Sequence, residues 1–244
     1  MAAQAMVEAD LAVWPRWLDV AMLIISPVFA QARSRWAALD YVCALLRADG
    51  RRSCWQLAEL AGHATPRRLQ ALLAEYVWDA RVLLERVRGL LLDALADPGA
   101  VLAIDETAEL KAGEHTVAVA PQYAGITGQV ENCQTVVFLA YVTARAHALM
   151  DFALYLPKTW IGDPHRRARA QVPDEVGFAT KPQLAVDLVR RAVAGSVPFA
   201  WIVADEVYCA TRRLVVSPAQ PGGTRREVSG SDGLPGTERI RGQE

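Results

Sequence analysis

Asp105-Glu106 and Asp205-Glu206 are two pairs of adjacent carboxylates, each standing directly behind a short apolar run, "VLAI" in the first case and "WIVA" in the second. Ionised carboxylates at the end of a buried run are costly unless a cation or strong donors meet them. If the two runs are strands that neighbour each other in a mixed sheet, their ends lie about 5 Å apart. Asp105 and Asp205 can then bind one divalent cation or share two. Mg²⁺ (or Mn²⁺) suits such a pair, because it takes one or two carboxylates and completes its shell with water and substrate phosphate oxygens. A second ion would allow in-line attack on a phosphodiester. Spacing leaves a plainer alternative open, in which Asp205 caps the following helix and Asp105 ends its strand in solvent.

The elements needed to hold these acids can be read around them. From residue 100 the texture is that of strands: "AVLAID", "TVAVAPQYAG", "CQTVVFLAYVTA" and "ALMDFALYLP" follow one another, with turn residues in "GITGQVEN" and "ARAH". The middle strands are expected to be antiparallel. "KPQLAVDLVRRAVAGSV" predicts a helix with Leu184, Leu188 and Val189 on one face and Gly195 near its end, and "PFAWIVADE" predicts the strand that delivers Asp205.

Residues 1–98 read as helical. "RWAALDYVCALLRA" sets Trp36, Leu39, Tyr41, Val42, Leu45 and Leu46 close to a 3.6-residue repeat. Ser53 can cap a short helix that stops at Gly62, and Thr65 can cap a second one with Pro66 at its first position, where the missing N–H costs nothing. Two short helices over 53–76, the second opened by Arg67 and Arg68, have the outline of a helix-turn-helix and equally of an ordinary helical hairpin. "ARVLLERVRGLLLDALADPG" predicts a further amphipathic helix stopped by Pro98 and Gly99. The tail differs from all of this. Its 28 residues from Ser217 include six Gly and three Pro, and only Ala219, Val228, Leu234 and Ile240 are hydrophobic. Such a segment cannot offset its ordering entropy and is expected to be disordered.

Composition narrows the functional classes. With 52% hydrophobic and 22% charged residues the chain can build a sizeable core. Its formal net charge of −1 means that any polyanion must be met by local patches such as Arg51/Arg52, Arg67/Arg68, Arg166/Arg167/Arg169 and Arg190/Arg191. The four cysteines lie far apart without a C-x-x-C, which argues against a zinc site or a dense disulfide framework. "VAMLIISPVFA" is too short to span a bilayer and is broken by Ser26 and Pro27, so no membrane partner and a cytoplasmic location are expected.

Five stretches in one order, "IDETAELKAG", "QYAGITGQVENCQTVVFLAY", "ALMDFALYLPKTW", "VPDEVGFATKPQLA" and "VPFAWIVADEVY", resemble the catalytic domain of bacterial insertion-sequence transposases of the DDE superfamily, the group numbered seven-oh-one. "GRRSCWQLAELAGHATPRRLQALL" is similar to that group's helical N-terminal region. The resemblance covers about residues 33–214. It implies an RNase H-like mixed sheet over 99–216 with flanking helices, behind a helical region 1–98 and before the tail 217–244, an α+β or α/β chain overall. It implies Asp105 and Asp205 as the first and second catalytic, metal-binding aspartates, with Mg²⁺ or Mn²⁺ as cofactor. DNA (element ends and target) is the implied partner, along with intact transposase or a second copy. Thr107 and Lys111 lie in the motif around the first acid, and Tyr155 and Trp160 in a loop where the resemblance implies an aromatic packed on DNA, with a structural role as the alternative for all four. Arg67 and Arg68 are candidate DNA contacts through the helix-turn-helix outline.

The chain departs from that pattern in two places. Ala108, Glu109 and Ala112 stand where the family has a Gly-Phe or similar pair and a second lysine. The family's third acid, a Glu on a later helix, has no counterpart before the resemblance ends near Leu214, since Glu206 neighbours Asp205 on a strand and points the other way. A truncated, catalytically inactive transposase is therefore expected. The alternatives are a DNA-binding fragment that competes with intact transposase, and a domain without a nucleic-acid role.

Overall fold

A computed structural model describes residues 16–50, 52–205, 208, 215–216, 226–228 and 237–241, the last three segments by their backbone alone. The chain forms two compact units, Met1–Leu90 and Leu91–Glu244. Among the described residues no helix is long and apolar enough to cross a membrane.

The first unit is helical. Its elements are α1 (residues 16–25), a 3₁₀ turn Ser26–Val28, α2 (Ala32–Arg47), α3 (Cys54–Leu60), α4 (Arg67–Ala74) and the start of α5 (Ala80–Leu95). Ser53 caps α3 as expected, in a reciprocal box with Gln56. The helix ends where Gly62 takes φ +76°, a conformation glycine adopts without strain. The expected Thr65 cap of α4 is shifted by one residue. Pro66 occupies the cap with no side-chain bond, and its carbonyl accepts the first helical N–H, from Gln70. The stripe expected on α2 holds in part, since Leu39, Tyr41 and Leu45 pack against the helical cores. The helix buries Ser34, Ala37, Ala38 and Ala44, while Trp36 and Leu46 are 58% and 55% exposed. Small side chains let neighbouring helices approach, so Leu57, Ala58 and Leu69 cluster with Ala44, and Leu72 with Ala37 and Ala38. Asp40 on α2 pins the turn between α3 and α4, meeting His63 Nε2 at 2.9 Å and Arg68 Nε at 3.3 Å.

The second unit is built on a mixed sheet of β1 (Val101–Leu110), β2 (Ala120–Ala124), β3 (Gln129–Val142), β4 (His147–Leu154) and β5 (Trp201–Ala204), with helices α6 (Lys158–Ile161), α7 (Pro164–Arg169) and α8 (Lys181–Ala194). β3 is the hub. Its one edge pairs antiparallel with β1 from Val101↔Val142 to Leu110↔Cys133, and its other edge takes β2 and β4 in succession. β5 joins the far side of β1 in parallel, from Val101↔Trp201 to Ile104↔Ala204. Helices followed by a mixed sheet with helices match the sequence expectation, and the turns fall in the two predicted places, at 125–128 and 143–146. The short helices α6 and α7 were not foreseen.

Alternation along β3 decides where the core sits. Thr135, Val137, Leu139 and Tyr141 are fully buried, and the last three pack with Leu102 and Ile104 of β1, Ile202 of β5 and Ala185, Leu188, Val189 and Ala192 of α8. The intervening residues Val136, Phe138 and Ala140 belong to the opposite face and are half-buried. The buried Tyr141 hydroxyl is satisfied at 2.8 Å from the Pro198 carbonyl while accepting the Asp97 N–H at 2.9 Å. Past β5, Val215–Val216 (β6), Arg226–Val228 (β7) and Thr237–Arg241 (β8) pair as short strands, β8 antiparallel to β5. The expected disorder of 217–244 thus falls mainly on residues outside the described ones, and the described backbone there is paired.

Candidate functional site

β1 does not end at Asp105, contrary to the sequence reading. It continues through Leu110 because β3 supplies a partner for every residue, Asp105 facing Phe138 and Glu106 facing Val137. The end that matters is that of β5. Its ladder with β1 stops at Ile104↔Ala204, so Asp105 and Asp205 are each one residue past the last pair of two parallel strands. Period-two alternation puts Ala103 and Asp105 on one face of β1, and Val203 and Asp205 on the same face of the sheet. Strand spacing alone then sets the two backbones about 5 Å apart. Both aspartates are exposed, and the Glu106 N–H donates to Asp105 Oδ1 at 2.7 Å.

Glu106 belongs to the α8 face. Its Oε1 meets Lys181 Nζ at 2.6 Å, and its Oε2 accepts the Tyr208 hydroxyl at 2.8 Å. Burial, and then the neighbouring Glu106 carboxylate, push the Tyr208 phenol well above its ordinary range, so it stays a donor. Lys181 opens α8 directly after the Thr180 cap, whose box with Gln183 fixes the start of the helix. The Lys181 ammonium also lies 5.7 Å from the centre of the Tyr155 ring, which meets Phe178 edge-on. Glu106, Lys181 and Tyr208 were not singled out from sequence. The "TKPQ" capping signal and the strand alternation that turns Glu106 away from Asp105 were the available signs.

The other sequence candidates lie elsewhere. Lys111 follows Asp105 by six residues of continuous strand, about 20 Å along β1, and its Nζ is 3.7 Å from Glu109. Thr107 shares the face of Asp105, opposite Val136. Trp160 is fully buried, donating its Nε1–H to the Val119 carbonyl at 2.8 Å beneath the Arg166 guanidinium, so its ring is a packing element and is not offered to DNA. Arg167 likewise donates to the carbonyls of Pro173, Asp174 and Val176. Arg67 and Arg68 are in the helical unit, Arg67 in a two-point pair with Glu75 and Arg68 with Asp40. Glu206 lies outside the described residues.

Among the described residues no group of three or more His, Cys, Asp or Glu is arranged to hold a metal. Two exposed carboxylates on one face do fit a hydrated divalent cation, which accepts oxygen donors and fills the rest of its shell with water.

Residues 25–222 match the family of DDE superfamily endonucleases, a span that takes in helices of the first unit and all five main strands of the second. The chain belongs to that family. It is 27% identical over 158 residues to a protein of Microchaete diplosiphon named "Probable transposase for insertion sequence element IS701", an alignment that covers 65% of this chain and 39% of that relative. The chain thus spans about two fifths of the length of the relative it matches. No solved structure matches it.

Proposed function

We propose that this chain is a transposase-like protein for DNA transposition of an insertion sequence, with an RNase H-like core over 99–216 in which Asp105 and Asp205 bind Mg²⁺ or Mn²⁺. The helical region 1–98 serves DNA contact in this reading, and the chain acts at element ends together with intact transposase or a second copy of itself. The observation that carries the proposal is the β1–β5 register, in which the two aspartates follow the last paired residues on one face. A divalent cation bound there supplies charge neutralisation at phosphate oxygens and activation of an attacking hydroxyl. The chain's own part is to hold the two carboxylates side by side, with the Glu106 N–H fixing Asp105 Oδ1. Among the described residues no third acid joins the two, and with two alone cleavage is expected to be absent or very slow.

The test is incubation of the full chain with duplex carrying the ends of its element, in Mg²⁺ or Mn²⁺. The expected result is salt-sensitive DNA binding, weakened when Arg67 and Arg68 are replaced by Ala, with metal retention that depends on Asp105 and Asp205. Metal retention unchanged in Asp105→Ala and Asp205→Ala would overturn the metal site. Efficient end cleavage lost in those variants would overturn the inactive reading and leave the site standing.

A further inference from the structure

We infer that Glu106, Tyr208 and Lys181 form a clasp on the α8 face of the sheet that sets the separation of Asp105 and Asp205, which makes Glu106 and Tyr208 positioning residues for the cation site. The inference rests on the metal-site reading above. The backbone ladder between β1 and β5 stops at Ile104↔Ala204, one residue short of both aspartates. Beyond it lies a side-chain bridge. Glu106 is the residue next to Asp105, and its Oε2 accepts the hydroxyl of Tyr208 at 2.8 Å. Tyr208 in turn is tied to Asp205, because its N–H donates to the Asp205 carbonyl at 2.9 Å. One hydrogen bond therefore ties the carrier of the first acid to the carrier of the second.

The bridge is anchored on both sides. Tyr208 is 6% exposed and packs in the main core with Leu188 and Val189. The second oxygen of Glu106 is held by Lys181 at 2.6 Å, at the capped first turn of α8. A carboxylate is the group that can accept from an ammonium and a phenol at once, and charge-assisted bonds of this kind are the stronger ones. Lys181 also balances Glu106 on the α8 face, so the negative charge left for a cation is that of the two aspartates on the other face.

The experiment is titration of the full chain with Mn²⁺, free ion being followed by its electron paramagnetic resonance signal. Asp105→Asn and Asp205→Asn should each abolish tight binding. Tyr208→Phe, which removes only the hydroxyl, and Glu106→Gln should each weaken Mn²⁺ binding about tenfold while circular dichroism stays native, in the range seen when groups behind a metal ligand are altered. Lys181→Met serves as the second arm if Tyr208→Phe does not fold, with the same direction of effect. Arg191→Met, which breaks the ion pair with Asp151 on the same face but away from the bridge, should lower the melting temperature and leave Mn²⁺ affinity unchanged. Folded Tyr208→Phe and Glu106→Gln proteins that bind Mn²⁺ within twofold of the parent, beside an inert Asp105→Asn, would sink the clasp alone. Binding unaffected by Asp105→Asn would remove the metal site and the clasp with it.

Discussion

On the α8 face of the sheet, Asp151 sits against the Arg191 guanidinium at 2.9 Å and Glu106 sits between Lys181 and Tyr208. On the other face, Asp105 and Asp205 stand exposed, Asp105 opposite Phe138, whose ring lies 6.3 Å from that of the half-exposed Phe152. The same residue type thus has two roles one strand position apart. Where the chain buries a carboxylate it supplies a cation of its own, and the acid contributes to the fold. Where two carboxylates follow the last pair of neighbouring strands on the exposed face, repulsion between like charges works against the fold, and costly placements of that kind are where function is expected.

The sharpest way to break this contrast is packing. Leu139→Ala, on the α8 face, should cost about 3 kcal/mol, whereas Phe152→Ala on the other face should cost about 1 kcal/mol, the value of an exposed ring pair. Urea unfolding of the two variants checks it. Similar losses would mean that the second face is packed as tightly as the first.

A smaller effect separates the acids themselves. Arg191→Met should cost about 2 kcal/mol, because it leaves the buried Asp151 carboxylate without its cation. Asp105→Asn should change stability by no more than about 0.5 kcal/mol, and in the stabilising direction, since it relieves repulsion from Asp205. Thermal melts in metal-free buffer decide between equal and opposite behaviour.

The smallest effect belongs to a pair in the helical unit that is fully exposed. The hydrogen bond from Arg67 holds the Glu75 carboxyl below its ordinary range. A depressed carboxyl favours the folded state above the unfolded value, about 4.3, and that contribution is lost as pH falls through the folded value. Solvent and salt screen an exposed pair, so the contribution to stability is slight. Nuclear magnetic resonance titration should show Glu75 ionising below its ordinary value, and Arg67→Ala or 1 M salt should restore it. No shift on either change would show that the pair does not persist in solution.

The contrast between faces also marks what was legible in the sequence. Strand existence, the antiparallel run and the capped α8 were visible because β-branched runs, turn residues and the Thr180–Gln183 box are local signals. The match of Asp105 with Asp205 was visible as two similar dipeptides and through the family resemblance, since register between distant strands leaves no local trace. The end of β1 was misread because an acid in an apolar run looks like a terminus, whereas the long β3 keeps pairing past it. The stripe of α2 was legible in Leu39, Tyr41 and Leu45, but not in its alanines, because large apolar residues draw attention and the small ones that let helices approach do not. Trp160 was weighed as a DNA contact because aromatic type says nothing of burial.

The β1–β5 pairing, which ends one residue before each aspartate, is also the most distant strand pairing among the described residues. Ile104 meets Leu139 through the antiparallel run but meets Ala204 only across the whole of α8 and the segments before it. Closing that longer loop costs about 1 kcal/mol more in chain entropy, and non-local contacts of this kind form slowly. During refolding the β1–β3–β4 meander should therefore protect its amides first, and β5 should join last. The two aspartates reach neighbouring strand ends only at that final step, so a chain arrested earlier would hold most of its sheet and leave them apart.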